Sequence, residues 1–144
     1  MITAISIQDL MTKDVVTVAS TDSINEIERI FKRNHLRHAP VCESGNVVGM
    51  ISLIDLRRNI PDGDREDIPN KEVLTLTASQ FMAPDPVTLQ SDQTVKEAAL
   101  LFSENDFHAV PVLERGKLVG IISTTDIIRF LIDSINELEE NSRA

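Results

Sequence analysis

An octapeptide occurs twice in the chain, as Val48-Gly49-Met50-Ile51-Ser52-Leu53-Ile54-Asp55 and as Val119-Gly120-Ile121-Ile122-Ser123-Thr124-Thr125-Asp126. In each copy a short apolar run ends at a serine, an aspartate follows three residues on, and a segment of helical periodicity lies behind it. That order describes a strand handing a hydroxyl and a carboxylate to the first turn of a helix. Unpaired backbone N–H groups and the positive end of the helix dipole gather there, so the corner can receive a polyol or a phosphate. The same residues also read as a variant of the capping box that any helix start can use. The two uses can coexist.

Other chemistry is poorly supplied. The chain has no Gly-x-Gly-x-x-Gly, no Lys-bearing phosphate loop, no His-Glu-x-x-His and no serine nucleophile elbow. Its carboxylates are scattered over helical segments and a connector, so no general acid/base pair stands out and the chain reads as a sensor rather than an enzyme. The single cysteine, Cys42, rules out an internal disulfide framework and a multi-cysteine metal site. It follows Pro40-Val41 in an apolar stretch and reads as a small core residue. Asp62, Asp64, Glu66 and Asp67 form the one acidic cluster, but they lack the Gly-centred, twelve-residue spacing of a calcium loop, and no metal site is expected.

The elements that carry the octapeptides recur as well. Met11 falls on Met82, a shift of 71 residues, and the register holds without a gap through Arg58 on Arg129. It matches Val16-Thr17 with Val87-Thr88, Phe31 with Phe102, Pro40-Val41 with Pro111-Val112 and Gly45 with Gly116, which is a tandem duplication. Each copy opens with a β-prone run, Val15 to Val18 or Pro86 to Leu89. Capping boxes follow, Ser23-x-x-Glu26 and Thr94-x-x-Glu97, ahead of apolar residues at three- and four-residue steps, which predict a helix with one buried face. Two apolar runs then flank a polar break, Glu43-Ser44-Gly45-Asn46 or Glu114-Arg115-Gly116-Lys117, which predicts a hairpin. The octapeptide leads into a closing helix, long in the second copy and cut short at Ile60-Pro61 in the first. The expected organisation is a β-α-β-β-α repeat over residues 5–60, an acidic connector over 61–75, a second repeat over 76–134, and the end of the last helix with a fraying polar tail over 135–144. His35 aligns with Asp106, breaks the repeat, and reads as a solvated helix-end residue.

At 144 residues the chain is long enough to bury a core without staples. A net charge of −9, with no Trp and no Tyr, argues against nucleic-acid binding. Neither a signal peptide nor an apolar run of membrane-spanning length is visible, so a soluble, cytoplasmic protein away from the membrane is expected.

Two β-α-β-β-α copies, each with an apolar-Pro-Val strand, a Gly-centred hairpin and a Gly-x-x-Ser-x-x-Asp ending, resemble a tandem cystathionine-β-synthase (CBS) domain pair, the Bateman module. The resemblance covers about residues 5–134. It implies an α/β (α+β) fold of two repeats packed about a pseudo-twofold axis, with two clefts between them that take adenosyl ligands such as AMP, ADP, ATP or S-adenosylmethionine. It also implies a homodimer and a regulated partner protein, with no cofactor required. By the same resemblance Asp126 and Asp55 take the ribose hydroxyls, with Ser123 or Ser52 near ribose or phosphate. Thr125 supplies a further hydroxyl where the first copy has Ile54. Arg37 and His38 are expected to face the Asp126 cleft and His108 the Asp55 cleft, as phosphate partners. The runs containing Thr17 and Val18, and Thr88 and Leu89, are expected to line the adenine slots. Thr125 and Arg37 make the Asp126 cleft the better equipped. Arg37, His38 and His108 also fit ordinary surface positions. A nucleotide-independent dimerisation or docking scaffold is the alternative, for which the Ile/Leu stripe of the last helix supplies an interface.

Overall fold

The computed structural model describes residues 5–59 and 75–143. The expected connector, with Asp62, Asp64, Glu66 and Asp67, lies outside the described residues except for Thr75. The fold is α+β, and the chain divides into two compact units, Val15–Val87 and Met1–Asp14 with Thr88–Ala144.

In the unit Val15–Val87 the elements are β1 (Val18–Ala19), α1 (Ile24–Asn34), β2 (His38–Glu43), β3 (Asn46–Ser52), α2 (Leu53–Asn59), α3 (Ala78–Phe81) and β4 (Ala83–Pro84). They build a four-stranded sheet in the order β1-β2-β3-β4. The β2–β3 turn closes on Glu43 opposite Asn46, with Ser44 and Gly45 at φ 50° and 82°. Two successive positive φ values match the right-handed twist of a tight hairpin, which is why the polar break carries a glycine. Ser23 Oγ accepts the Glu26 N–H at 3.3 Å and starts α1. His35 ends it in the left-handed conformation at φ 54°, exposed, as the break in the repeat predicts. Ile24, Ile27 and Phe31 bury the inner face of α1 against Val41, Ile51 and Leu56. Ile27 is fully buried, so truncation to Ala costs about 2–5 kcal/mol.

The other unit repeats this plan with β5 (Leu89–Gln90), α4 (Val95–Ser103), β6 (Ala109–Glu114), β7 (Lys117–Ser123) and α5 (Thr124–Arg143). Its sheet order is β5-β6-β7, with a matching hairpin at Arg115 and Gly116, φ 53° and 78°. Both hairpins carry a bulge at the same place. Val41 faces Gly49 but Cys42 faces Val47, and Val112 faces Gly120 but Leu113 faces Leu118.

Three details depart from expectation. The opening strands are only two residues long, because ladder pairing with β2 and β6 begins at Val18 and Leu89; Pro86 in the run before β5 has no N–H to donate. The polar tail does not fray at Glu139: α5 continues to Arg143, through Glu139, Glu140 and Arg143, which favour helix, with no Gly or Pro to stop it. The units in space also cut the repeats differently from the sequence. A strap of residues 5–12, with a 3-10 turn at Ile7–Asp9, belongs with Thr88–Ala144. Ile7 N–H donates to Gln93 O at 2.9 Å, and Thr12 exchanges bonds with Ile121 at 2.9 and 3.0 Å. Shifted by 71 residues, the equivalent strap is α3 and β4, and it closes on the Val15–Val87 unit, where Ala83 faces Met50. Each strap crosses its strand at a glycine. A Cβ on Gly120 would overlap Met11 Sδ and sit 3.0 Å from Thr12 O; a Cβ on Gly49 would do the same to Met82 Sδ and Ala83 O.

Candidate functional site

Each strand-to-helix corner is built as the spacing predicts. Strand β7 ends at Ser123, α5 begins at Thr124, and Asp126 lies in its first turn. Ser123 Oγ accepts the Asp126 N–H at 3.3 Å, while Asp126 Oδ2 accepts the Ser123 N–H at 2.9 Å and its O–H at 3.1 Å. This is a reciprocal cap, with the carboxylate placed where the helix dipole favours negative charge. Oδ1 keeps its lone pairs, so a ribose diol can still be accepted there. In the other corner Ser52 Oγ accepts the Asp55 N–H at 3.0 Å, but among the described residues no N–H or O–H donates to the Asp55 carboxylate. The two corners therefore differ in the acid as well as in the hydroxyl before it. Thr125 is exposed, and the matching Ile54 is 60% exposed, an apolar group in a polar position.

The residues before β2 and β6 are tied to these corners through the backbone. Leu53 N–H donates to Arg37 O at 2.7 Å, and Thr124 N–H donates to His108 O at 2.9 Å. Within its own unit, then, Arg37 adjoins the Asp55 corner and His108 the Asp126 corner. His38 is half-buried and faces Ser52 across the β2–β3 ladder; the Arg37 and His108 side chains are exposed. Thr17 is exposed and Thr88 half-buried, but Val18 and Leu89 are buried in the cores of their units. Their side chains cannot line an open slot, because alternation along a strand turns them inward. Only their backbone groups remain available to a ligand.

Two cavities were not legible in the sequence. One, of about 450 Å³, lies in the unit Val15–Val87, with Phe31, Leu36, Leu53 and Leu56 among its walls and Lys32, His35, Arg37 and Arg57 beside them. Its residues come from α1, α2 and the turn after α1, Glu28 among them, and no single periodicity marks them. The other, of about 150 Å³, runs along α5 past Asp126, Arg129, Phe130 and Asp133 to Asp9 and Leu10 of the strap. Mid-strand glycines at 49 and 120, matched by methionines at 82 and 11, were the available signal for the strap, since a glycine inside a strand marks close approach of another chain segment.

Cys42 is half-buried, and desolvation pushes its thiol pKa up from the ordinary value, the behaviour of an unreactive structural cysteine. Among the described residues no group of three or more His, Cys, Asp or Glu is placed to hold a metal ion, and no helix is long and apolar enough to cross a membrane.

With the doubled corner in place, sequence comparison decides the family: the CBS domain model matches residues 7–62 and 78–133. The chain belongs to the CBS domain family. Among solved structures, this CBS pair superposes on the CBS domain pair of MJ0100 in complex with 5′-methylthioadenosine and S-adenosyl-L-methionine, with a TM-score of 0.75 at 24% identity, over 90% of this chain and 97% of that one. It also superposes on Arabidopsis thaliana CBSX2 in complex with AMP, with a TM-score of 0.73 at 23% identity, over 90% and 97%. These two likenesses establish the fold. Among curated proteins it is 26% identical to the uncharacterized protein MJ1232 of Methanocaldococcus jannaschii over 128 residues, 88% of this chain and 40% of that protein. The chain spans 23–46% of the length of the first five curated relatives that it matches.

Proposed function

We propose that this CBS pair is a regulatory module that binds an adenine nucleotide, AMP or a close relative, with Asp126 and Asp55 accepting ribose hydroxyls. The observation that carries the reading is the doubled corner: each unit presents a half-buried carboxylate in the first turn of a helix that follows directly on a strand. The adenosyl ligands bound by MJ0100 and CBSX2, proteins of the same fold, support the ligand class. Asp126 is the stronger candidate. It lines a cavity of about 150 Å³, which fits a sugar-sized group but falls below the roughly 300–1,000 Å³ of sites for whole ligands. Arg37 and His38 are its proposed phosphate partners, with Thr17 and the backbone of Val18 toward adenine. His108 and Ser52 serve the Asp55 site, with Thr88 and the backbone of Leu89 toward its adenine.

The test is a thermal-shift series with AMP, ADP, ATP and S-adenosylmethionine. A ligand at a hundred times its Kd stabilises the native state by about 2.7 kcal/mol. Asp126→Asn removes more of the ligand-induced shift than Asp55→Asn, each compared with its own ligand-free protein. Absence of a shift with every ligand refutes nucleotide sensing; the opposite order of the two variants moves the principal site to Asp55.

A second surface supports self-association. Ile128, Leu131, Ile132, Ile135 and Leu138 of α5 are 49–62% exposed and recur at three- and four-residue steps. A stripe of this kind marks an interaction face, and we assign it to a homodimer that carries the ligand signal.

A further inference from the structure

The cavity of about 450 Å³ in the unit Val15–Val87 takes no part in the strand-to-helix corners. We infer that it is a separate small-molecule site for an amphipathic carboxylate, an apolar chain that ends in one anionic group anchored by Arg57. This site is independent of the proposed nucleotide corners and does not rest on them.

Floor and rim of the cavity differ in character. Phe31 and Leu56 are buried core residues at its floor, and Leu36 and Leu53 are half-buried on its sides. The rim is exposed and basic, with Lys32, Arg37 and Arg57. Lys32 Nζ is already held by Glu28 Oε1 at 2.8 Å, and Arg37 is a proposed phosphate partner. Arg57 has no carboxylate within ion-pair distance among the described residues. Its guanidinium is planar, permanently charged and weakly hydrated, so it can hold a carboxylate through two parallel N–H···O bonds beside apolar surface. The volume lies within the roughly 300–1,000 Å³ of small-molecule sites, whose walls are mostly apolar with a few placed polar groups.

The duplication shows that the repeat folds without this chemistry. Shifted by 71 residues, Lys32 becomes Ser103, Leu36 becomes Phe107, Arg37 becomes His108 and Arg57 becomes Ile128. His35 becomes Asp106, so the second repeat has no Lys or Arg at any of these positions and an acid at one. Phe107 sets its ring edge-on against Phe102, the counterpart of Phe31, with centroids 6.1 Å apart. Where the second repeat places a ring, the first has the shorter Leu36 and an open cavity. The turn that carries Leu36 differs as well. His35 closes α1 at φ 54° and Leu36 N–H returns to Phe31 O at 3.0 Å, whereas Asp106 has no positive φ. Space and cationic charge were thus set together in one repeat only. In a chain of net charge −9 such a local basic site draws anions that the rest of the surface repels.

Isothermal titration of the full chain with sodium octanoate, below its micellar concentration, tests the site. Saturable binding of one molecule per chain is expected. Acetate, which lacks the chain, and octanamide, which lacks the charge, are each expected to bind about tenfold or more weaker. Arg57→Gln is expected to raise the octanoate Kd about tenfold while leaving the octanamide Kd within about twofold, which isolates the contact with the carboxylate. Leu36→Phe copies Phe107 into the cavity and is expected to abolish octanoate binding. Should that variant fail to fold, Arg57→Gln still decides. Arg57 lies outside the proposed nucleotide set, so Arg57→Gln keeps the AMP-induced thermal shift, and AMP does not displace octanoate from wild type. Equal affinity for octanoate and octanamide, unchanged affinity in Arg57→Gln, or displacement by AMP overturns the site. Octanoate binding that weakens as protein concentration rises assigns the cavity to a second copy of the chain and overturns it too. A wild type that binds octanoate as expected but shows no shift with any adenosyl ligand upholds this site and refutes the nucleotide reading alone.

Discussion

Substituting Gly120 by Ala perturbs the strap where it is most tightly held. No positive φ requires glycine there; the constraint is space, since a new Cβ would overlap Met11 Sδ, lie 2.8 Å from Met11 Cγ and 3.0 Å from Thr12 O. Overpacking a closed contact costs about 1–3 kcal/mol. Gly→Ala at a permissive φ returns about 0.4–1 kcal/mol by restricting the unfolded chain. The net loss is at most about 2.6 kcal/mol, a fall in Tm of up to about 10 °C for a chain of this size. The diagnostic quantity is a double-mutant cycle with Met11→Ala, read by urea unfolding. Met11 is half-buried against the core, so its truncation alone destabilises. In the Gly120→Ala background the same truncation removes the overlap, and its cost is expected to shrink by about 1 kcal/mol; the residual penalty reports the Thr12 carbonyl, which no side-chain change can move. Gly116→Ala is the control. It has open space and φ 78°, so its loss is backbone strain and does not respond to Met11. If the Gly120 and Met11 effects add within about 0.3–0.5 kcal/mol, the strap does not pack on Gly120 as described. The same variant should also weaken the ligand-induced shift, because Asp9 and Leu10 of the strap share a cavity with Asp126.

Two further outcomes follow from the corners and the thiol. Without ligand, Asp126→Ala is expected to lower stability by about 1 kcal/mol because its carboxylate accepts two bonds from Ser123, whereas Asp55→Ala stays within about 0.5 kcal/mol; equal losses in urea unfolding would contradict the difference between the caps. Cys42 is expected to alkylate more slowly in the native than in the unfolded protein at pH 8, since desolvation disfavours its thiolate. A folded-state pKa raised above the unfolded value contributes stability that is complete below the unfolded pKa and fades as pH climbs through the folded one, so this contribution is lost only in alkaline solution. Equal labelling rates in the two states would show the thiol to be free of that environment.

Much of the fold was legible because its signals are local. Ser23 and Thr94 announce helix starts, Gly45 and Gly116 announce hairpins, and the Ser-x-x-Asp corners place a hydroxyl and a carboxylate where the structure has them. Pairing between distant segments was not legible. Nothing in the sequence of Ile7 or Met11 says which repeat they close, because the register of a short strap is set by the cavity and glycine that receive it. Val18 and Leu89 illustrate the same limit within a strand: apolar type marks them as buried somewhere, and only the ladder shows that their side chains turn into the core. The Asp126 carboxylate accepts hydrogen bonds of 2.9–3.1 Å from Ser123 that the identical Ser-x-x-Asp spacing does not distinguish from the Asp55 corner.

The crossed straps also impose an order on biosynthesis. The unit Val15–Val87 is continuous in the chain and has all its parts once residue 87 has emerged. The strap of residues 5–12 emerges before the rest of both units, yet Thr12 must wait for Ile121 before it has a strand to pair with. At about 5–20 residues per second that interval lasts roughly 5–20 s. Throughout it, Ile5, Ile7 and Met11, which end against the second core, lack the surface that later covers them. On a crowded polysome a neighbouring nascent chain could offer its own β7 first, and two chains would then exchange straps. Slowing translation between residues 87 and 121 lengthens the exposure, and speeding it shortens the exposure, with no change to any amino acid.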